Sequence, residues 1–200
     1  MTAHYLATRT YPVQPGDDVL VHAAAGGVGL LLTQIVKMRG GRVIATTSTG
    51  EKAQFVRSAG AAEVIGYGAC PERVLELTRG EGVAVVYDGV GRATFDGSLA
   101  SLRTRGYLVL FGAASGPVPP FEPTRLESGG SLFLTRPSLR HYIATRQELI
   151  ERAAEVFGWI AAGQLDVRIG CRYPLEEARR AHEDLAARKT TGKLILLPGQ

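Results

Sequence analysis

The chain has 200 residues, of which 45% are hydrophobic, and 23 Lys and Arg against 19 Asp and Glu give a formal net charge of +4. This length supports one full hydrophobic core and is too short for two comfortable domains, so we expect one cytoplasmic domain over residues 1–200. No apolar run is long enough to span a membrane, no signal peptide opens the sequence, and the basic residues lack an interleaved aromatic motif, so neither a membrane nor a nucleic acid is an expected partner.

The most informative segment joins a buried-strand pattern to a glycine cluster and then to a helix. The strand begins at Val19, the glycines are Gly26, Gly27 and Gly29, and an apolar helical run follows over residues 30–38. The first turn of such a helix has N–H groups without internal acceptors, and these favour an anion together with the helix dipole. The glycines let the backbone approach a pyrophosphate, so the pattern predicts a dinucleotide-binding turn. Because it reads A-x-G-G-V-G rather than G-x-G-x-x-G, a tight turn without a ligand is the alternative.

The segment after this helix indicates which dinucleotide would bind. A second strand, predicted over residues 42–48, completes a βαβ unit and brings its carboxyl end to the adenosine ribose. NAD-binding turns usually carry an acid there, about 20 residues after the glycines, whereas this sequence has Ser48, Thr49 and Lys52. Hydroxyl donors and an ammonium group attract a 2′-phosphate and favour NADP(H) over NAD(H). The structural alternative is that Ser48 or Thr49 caps the helix that starts near Glu51, which is compatible with phosphate binding.

Strand and helix patterns alternate over the rest of the chain, as a doubly wound α/β sheet requires. Further strands are predicted over residues 63–67, 83–87, 106–112 and 131–135, and helices over residues 71–79, 93–103 and 146–162. The prediction is a Rossmann-type parallel sheet of about six strands. A helix over residues 175–188 and a strand over residues 193–197 follow as a C-terminal tail from about Asp166.

Three glycine-bearing turns follow strands whose carboxyl ends share one edge of the predicted sheet. Besides the first turn, they occupy residues 88–91 and 111–116. Open parallel sheets bind ligands at this edge, so the turns together predict a trough with the nicotinamide end of a dinucleotide beside Val90 and Phe111. Taken singly, Gly89, Gly91 and Gly112 are as consistent with ordinary chain reversal after a strand as with contact to a ligand.

Several short motifs, spread over nearly the whole chain, form a specific set. They include His22-Ala-Ala-Ala-Gly-Gly-Val-Gly29, Lys52-Ala-Gln54, Val85-Val-Tyr-Asp-Gly-Val-Gly91, Leu110-Phe-Gly112, Leu134-Thr-Arg-Pro-Ser-Leu139 and Tyr173-Pro-Leu-Glu-Glu-Ala-Arg-Arg-Ala-His182. As a set they resemble the zinc-free quinone oxidoreductase branch, the zeta-crystallin type, of the medium-chain dehydrogenase/reductase superfamily. The resemblance implies NADPH-dependent hydride transfer to a quinone. An enoyl or alkenal reductase acting on a conjugated carbonyl and a non-catalytic NADP-binding module are the alternatives.

The resemblance also implies which residues surround the two halves of the cofactor. At the pyrophosphate and the adenosine ribose phosphate it implies Gly27, Val28, Ser48, Lys52, Tyr67 and Arg188. Along the nicotinamide half it implies Val90, Phe111, Gly112, Thr135 and Arg136. Tyr5, in a helix before the first strand, would also touch the cofactor.

Members of this family begin with a separate barrel-like domain that forms the other wall of the active-site cleft. This sequence starts where that domain would end, and a fragment, a mis-started reading frame and a natural short form are the alternatives. In the family, the part that corresponds to the tail packs against that domain. Val167, Ile169 and the strand over residues 194–197 are therefore expected to lack their usual partners.

No catalytic acid, base or nucleophile is predicted. Tyr142 is followed four positions later by Arg146 instead of the lysine of a short-chain dehydrogenase, and there is no G-x-S-x-G elbow. Cys70, Cys171 and the four histidines lack ligand spacing, so neither a disulfide framework nor a metal site is predicted.

The strand predicted over residues 131–135 indicates an assembly. It is apolar and would lie last in the sheet, and an exposed edge of this kind seeks a partner. The same strand from a second copy would continue the sheet across a two-fold interface, as the resemblance also implies. We therefore expect a homodimer formed through Leu132, Phe133 and Leu134.

Overall fold

The structure is a computed structural model that describes residues 1–68, 70–187 and 189–199. Six strands form one parallel sheet: β1 Asp18–Val21, β2 Arg42–Thr46, β3 Glu63–Ile65, β4 Val83–Asp88, β5 Leu102–Leu110 and β6 Phe133–Thr135. Their order is β3-β2-β1-β4-β5-β6, with every neighbouring pair parallel. The strand order reverses between β1 and β4, as it does in a doubly wound fold, so the predicted fold class is confirmed.

Helices cover both faces of the sheet. The described helices are α1 Thr2–Tyr5, α2 Gly27–Met38, α3 Gly50–Ser58, α4 Cys70–Leu77, α5 Phe95–Ala100, α6 Thr124–Ser128, α7 Arg146–Ala161 and α8 Ala178–Ala186. A π-helical turn, Leu6–Thr10, continues α1, and 3-10 turns lie at Leu139–His141 and Leu175–Glu177. Within the described ranges, no helix is both long and apolar enough to cross a membrane.

Two apolar cores flank the sheet because successive strand residues point to opposite faces. Val19 and Val21 pack with α2, α3 and α7 in one core, whereas Leu20 packs with α4 and α5 in the other. Both faces of β1 and β4 are buried. This burial explains why their sequences are continuous apolar runs.

The structure corrects several predicted element boundaries. The helix predicted over residues 93–103 is the short α5, and β5 already begins at Leu102, which pairs with Val83 across a register shift. Leu102 is buried in the second core, so its packing and pairing override the helical pattern. The second and third strands end two residues earlier than predicted, at Thr46 and Ile65, and leave Ser48 and Tyr67 in loops.

The tail contains a strand that the sequence analysis missed. β7, Ile169–Pro174, pairs in parallel with β8, Lys193–Leu197, in a second sheet. The helix predicted from residue 175 begins as a 3-10 turn, and α8 itself starts at Ala178. Its predicted end at Arg188 lies outside the described residues. The two tail strands are each other's hydrogen-bonding partners, but Ile169, Leu196 and Leu197 keep exposed side chains.

One buried hydroxyl in α2 provides a test of the packing. Thr33 is fully buried, and its Oγ1 has no hydrogen-bond partner within the described residues. Valine has the same shape without the unsatisfied group, so Thr33→Val should raise the free energy of unfolding by up to about 1 kcal/mol. Urea denaturation measures this change, and a less stable Thr33→Val variant would contradict the expectation. The matched control is Thr78→Val, which should lose stability because the Thr78 hydroxyl donates to Val74 O at 2.8 Å and accepts from Gly82 N at 2.9 Å.

Candidate functional site

The turn between β1 and α2 is built for close backbone packing. Gly26 is the N-cap of α2, and the first turn of this helix contains no acidic residue. A Cβ on Gly29 would lie 2.6 Å from Cα of Ala24 and 2.7 Å from O of Ala23, so only glycine allows the helix to start this close to the turn. The first N–H groups of α2 have no intrahelical acceptors, and with no carboxylate beside them they form an electropositive end suited to an anion.

The C-terminal tail returns to this turn, a contact that the sequence analysis did not predict. Gly192 N donates to Ala25 O at 3.0 Å. A Cβ on Gly27 would lie 2.9 Å from O of Gly192 and 2.9 Å from Cδ of Lys193. The reason predicted for a glycine at position 27 is that a pyrophosphate needs the space. The structure adds a second reason, which is that the tail approaches Gly27 closely.

The first cavity, of about 260 Å³, lies at the carboxyl ends of β1 and β2. Six predicted residues line it: Gly26, Gly27, Ser48, Lys52, Tyr67 and Val90. Seven further residues line it that were not predicted: Ala23, Ala25, Thr47, Ala114, Leu185, Thr190 and Gly192. Three of these come from α8 and the segment before β8, where the sequence pattern showed only an amphipathic helix and a strand.

In the segment after β2, different residues cap helix α3 and line the first cavity. Thr49 is the N-cap of α3, and its side chain accepts a hydrogen bond from Lys52 N at 3.3 Å. Ser48 and Lys52 line the first cavity, whereas Thr49 does not. Helix capping, the alternative to phosphate binding, is therefore the observed role of Thr49. The neighbouring cavity wall contains the hydroxyl-bearing Ser48 and the ammonium-bearing Lys52.

Tyr67 holds the glycine turn from the side of β3. Its hydroxyl oxygen accepts from Ala23 N at 3.1 Å, and its ring stacks against that of His22 at 6.0 Å. Ala23 has a positive φ of 51°, which is uncommon for a residue with a side chain. The contact with Tyr67 therefore helps to fix an unusual backbone conformation at the edge of the cavity.

The second cavity, of about 440 Å³, lies beyond the carboxyl end of β5. Tyr5, Phe111 and Arg136 line it among the predicted residues, together with Thr2, Pro137, Ser138 and Leu139. Arg136 Nη1 donates to Leu110 O at 2.9 Å, and the ring of Tyr5 stacks on that of Tyr142 at 4.3 Å. Burial raises the pKa of Tyr5, although the charge of Arg136 opposes the shift.

A buried histidine fixes the helix that carries Tyr5. Arg152 Nη1 donates to His4 Nδ1 at 2.9 Å, so the imidazole proton lies on Nε2, which donates to Glu155 Oε2 at 2.7 Å. Burial lowers the pKa of His4, although Glu155 opposes the shift. The contacts attach α1 to α7 and so position one wall of the second cavity.

The turns after β4 and β5 pack directly on each other. A Cβ on Gly89 would lie 2.9 Å from Cζ of Phe111, and one on Gly112 would lie 2.8 Å from Cα of Gly89. These glycines therefore have a packing role whether or not a ligand binds. Val90 faces the first cavity and Phe111 the second, so the paired turns lie between the two cavities.

Five predicted site residues within the described ranges line neither cavity: Val28, Gly29, Thr49, Gly112 and Thr135. Gly29 and Gly112 serve close packing, and Thr49 caps α3. Arg188, also predicted, lies outside the described residues.

No cluster of metal-ligating side chains occurs in the ranges 1–68, 70–187 and 189–199. Cys70 is buried, and burial raises the pKa of its thiol to about 11, which makes it a poor nucleophile and a poor metal ligand at neutral pH. The absence of a metal site stays a prediction of the sequence analysis.

Comparison with known proteins identifies the family. The profile of the zinc-binding dehydrogenase family matches residues 27–160. The chain belongs to this family. Among solved structures similar to this chain, a mycobacterial protein determined in complex with NADPH is 57% identical, with a TM-score of 0.96, over 98% of this chain and 62% of that chain.

Two curated relatives indicate which branch of the family the chain resembles. The quinone oxidoreductase of Salmonella typhimurium is 48% identical over 202 residues, which cover 99% of this chain and 62% of that protein. The 2-haloacrylate reductase of a Burkholderia species is 43% identical over 201 residues, which cover 99% of this chain and 60% of that protein. The chain thus spans about three fifths of the length of these relatives. The resemblance to the zinc-free quinone oxidoreductase branch of the medium-chain dehydrogenase/reductase superfamily is confirmed.

Proposed function

We propose that this chain is the NADPH-binding part of a quinone oxidoreductase, which transfers a hydride from the nicotinamide to a quinone. The first cavity is the observation that carries the proposal. The N-terminal end of α2 opens beside it at Gly26 and Gly27, Ser48 and Lys52 form another part of its wall, and none of its described lining residues is acidic. A helix N-terminus suits the pyrophosphate, and a hydroxyl with an ammonium suits the 2′-phosphate of NADP(H). The solved mycobacterial relative with bound NADPH supports this choice of cofactor.

The two cavities suggest how the dinucleotide would lie. We propose that the pyrophosphate meets Gly27 and Val28 and that Ser48, Lys52, Tyr67 and Arg188 surround the adenosine ribose phosphate. The nicotinamide half would extend past Val90 toward the second cavity, which Tyr5, Phe111 and Arg136 line. Gly112 and Thr135 would support that path from the ends of β5 and β6, and Thr49 would act through its cap on α3.

The experiment for the proposed reaction combines binding with turnover. Nicotinamide fluorescence should report saturable binding of NADPH to the chain, and NADPH oxidation should be followed with a naphthoquinone as acceptor. Turnover is measured with the chain alone and with the chain fused to the substrate domain of a relative. NADPH binding with no quinone reduction by the fusion would leave the non-catalytic binding module as the better description, and absence of NADPH binding would refute the proposal.

A second candidate reaction is reduction of a conjugated carbonyl. The relationship to a 2-haloacrylate reductase favours it, because hydride addition to an activated alkene uses the same nicotinamide chemistry. Parallel assays of the fusion protein with a quinone and with a haloacrylate decide between them by the ratio of kcat/KM for the two acceptors.

The preference for NADPH is expected to depend on Lys52. NADPH should bind at least about 10-fold more tightly than NADH, or about 1.4 kcal/mol, because the ammonium makes a charge-assisted contact with the 2′-phosphate. Lys52→Ala should remove most of this preference and leave the affinity for NADH nearly unchanged, as fluorescence titration with both nucleotides would show. Lys37→Ala, in the last turn of α2, removes the same charge at the end opposite the glycine turn and is the matched control. Equal affinities of the parent for NADPH and NADH, or an unchanged preference in Lys52→Ala, would disprove this role.

We further propose that the protein is a cytoplasmic homodimer formed through β6. This strand is the last in the sheet, and Phe133 is 49% exposed while its ring stacks on Tyr107 at 4.5 Å. Phe133→Pro should yield monomer or aggregate because proline removes a backbone donor and bends an edge strand. Light scattering at micromolar concentration measures the mass of the parent and of the variant. Phe157→Ala, an exposed aromatic residue on α7, should leave the dimer intact, and a monomeric parent would contradict the proposal.

A further inference from the structure

A row of buried polar side chains runs beneath the site, from β2 through His22, the residue after β1, to α5 and β4. His22 Nδ1 lies 2.9 Å from Thr46 Oγ1, and His22 Nε2 lies 3.1 Å from Ser98 Oγ. Ser98 Oγ in turn donates to Asp88 Oδ2 at 2.8 Å. His22 is 2% exposed, and Thr46, Ser98 and Asp88 are fully buried. No function was predicted for His22 from its position in the sequence, and the row appears only in the folded structure.

Each end of the row holds one of the turns at the first cavity. Asp88 Oδ1 accepts from Val90 N at 2.7 Å and from Gly91 N at 3.0 Å, which fixes the turn that presents Val90. At the other end, Thr46 Oγ1 accepts from Ala23 N at 3.3 Å, and Thr46 O accepts from Ala24 N at 3.1 Å. The row therefore links the glycine turn after β1 with the turn after β4.

The chemistry of the groups fixes the direction of every hydrogen bond in the row. The Asp88 carboxylate can only accept, and it accepts from Thr94 Oγ1 at 2.7 Å as well as from Ser98 Oγ and two backbone N–H groups. Ser98 must then donate to Asp88 and accept from His22 Nε2–H. The bare Nδ1 of a neutral imidazole accepts the Thr46 hydroxyl hydrogen, and the Thr46 oxygen remains available to Ala23 N–H.

A neutral His22 is also what its surroundings favour. Burial lowers the pKa of His22, although the charge of Asp88 opposes this shift. A protonated imidazole would donate from both nitrogens, and the Thr46 hydroxyl would lose its acceptor. All hydrogen-bonding groups in the row are paired only in the neutral form.

We infer that His22 is a positioning residue for the dinucleotide. Through Thr46 and Ser98 it sets the position of the glycine turn relative to the Val90 turn, so that one extended ligand meets both. The inference rests on the proposed binding of NADPH, and it assigns the residue that couples the two halves of the site. Loss of His22 should therefore lower the affinity for a ligand that spans both turns more than the affinity for a ligand that contacts the adenosine side alone.

The test compares two ligands on matched variants. NADPH reaches both turns, whereas adenosine 2′,5′-bisphosphate lacks the nicotinamide half. His22→Phe keeps a buried ring without hydrogen bonds, and His22→Gln supplies an amide oxygen for Thr46 and an amide N–H for Ser98. Calorimetric titration should show NADPH affinity reduced about tenfold in His22→Phe, with less than about a twofold change for the bisphosphate, and His22→Gln should restore most of the loss.

A second variant keeps the test valid if His22→Phe folds poorly. Ser98→Ala interrupts the same row at the next link, and it should produce the same selective loss of NADPH affinity. The double variant His22→Phe with Ser98→Ala should lose little more than either single variant, because the two residues act in one chain of contacts. Fully additive losses would overturn the idea of a connected row.

The remaining outcomes are equally decisive. Equal weakening of both ligands in His22→Phe, or unchanged NADPH affinity, would show that His22 is merely a core residue and would overturn the inference. Thr33→Val alters another buried position, in α2, and should bind both ligands as the parent does. If the parent itself fails to bind NADPH, the proposed function fails and this inference fails with it, which is a result distinct from a selective loss in the variants.

Discussion

Gly27→Val is expected to abolish dinucleotide binding while the chain keeps its secondary structure. Gly27 lines the first cavity at the start of α2, and a Cβ there would lie 2.9 Å from O of Gly192 and from Cδ of Lys193. A branched side chain would fill the space for the pyrophosphate and push the tail away from the turn. The sheet itself does not depend on this contact, because β1 to β6 pair independently of the tail.

Fluorescence titration with NADPH and far-UV circular dichroism together measure this outcome. The matched control is Gly158→Val in α7, where a Cβ would meet nothing within 4 Å. The control should bind NADPH as the parent does. If Gly27→Val bound NADPH with parental affinity, the glycine turn would be purely structural and the central proposal would be wrong.

Gly29→Val, only two positions further along, should instead unfold the chain. A Cβ at residue 29 would lie 2.6 Å from Cα of Ala24 and 2.7 Å from O of Ala23, and both are backbone atoms between β1 and α2. Because these elements lie in the centre of the fold, the clash cannot be relieved by a side-chain rotation. We expect a loss of at least about 3 kcal/mol in the free energy of unfolding, at the upper end of overpacking effects.

Thermal and urea denaturation of Gly27→Val and Gly29→Val side by side provide the comparison. The two substitutions add the same side chain to the same turn, so they differ only in the atoms with which the new side chain would clash. A Gly29→Val variant as stable as Gly27→Val would show that the helix start is not packed as the structure describes.

The local part of this fold could be predicted because the signals lie close together in the sequence. A buried strand, glycines and an apolar helix follow one another from Val19 to Met38, and the structure forms β1, the turn and α2 from them. The replacement of an acid by Ser48 and Lys52 is equally local, and both residues line the first cavity. The start of α2 was predicted too late, since Gly27 and Gly29 lie in its first turn.

The other features of the fold and of the candidate site depend on contacts between residues that are distant in sequence. No local pattern shows that Gly192 meets Ala25, that Leu185 lines the cavity, or that β7 pairs with β8. The role proposed for His22 was missed for the same reason: its partners Thr46 and Ser98 come from β2 and α5, and they meet only through the pairing of β1 with β2 and the packing of α5 against β4.

The return of the tail to the glycine turn has a consequence for biosynthesis. The sheet and both cores are encoded upstream of the tail, so the ribosome synthesises them before it synthesises the tail. Leu185, Thr190 and Gly192 complete the wall of the first cavity, and they are translated after the six strands of the sheet. A nascent chain would therefore form its core before the first cavity is complete, and stabilisation by the proposed binding of NADPH would become available only once translation has passed Gly192.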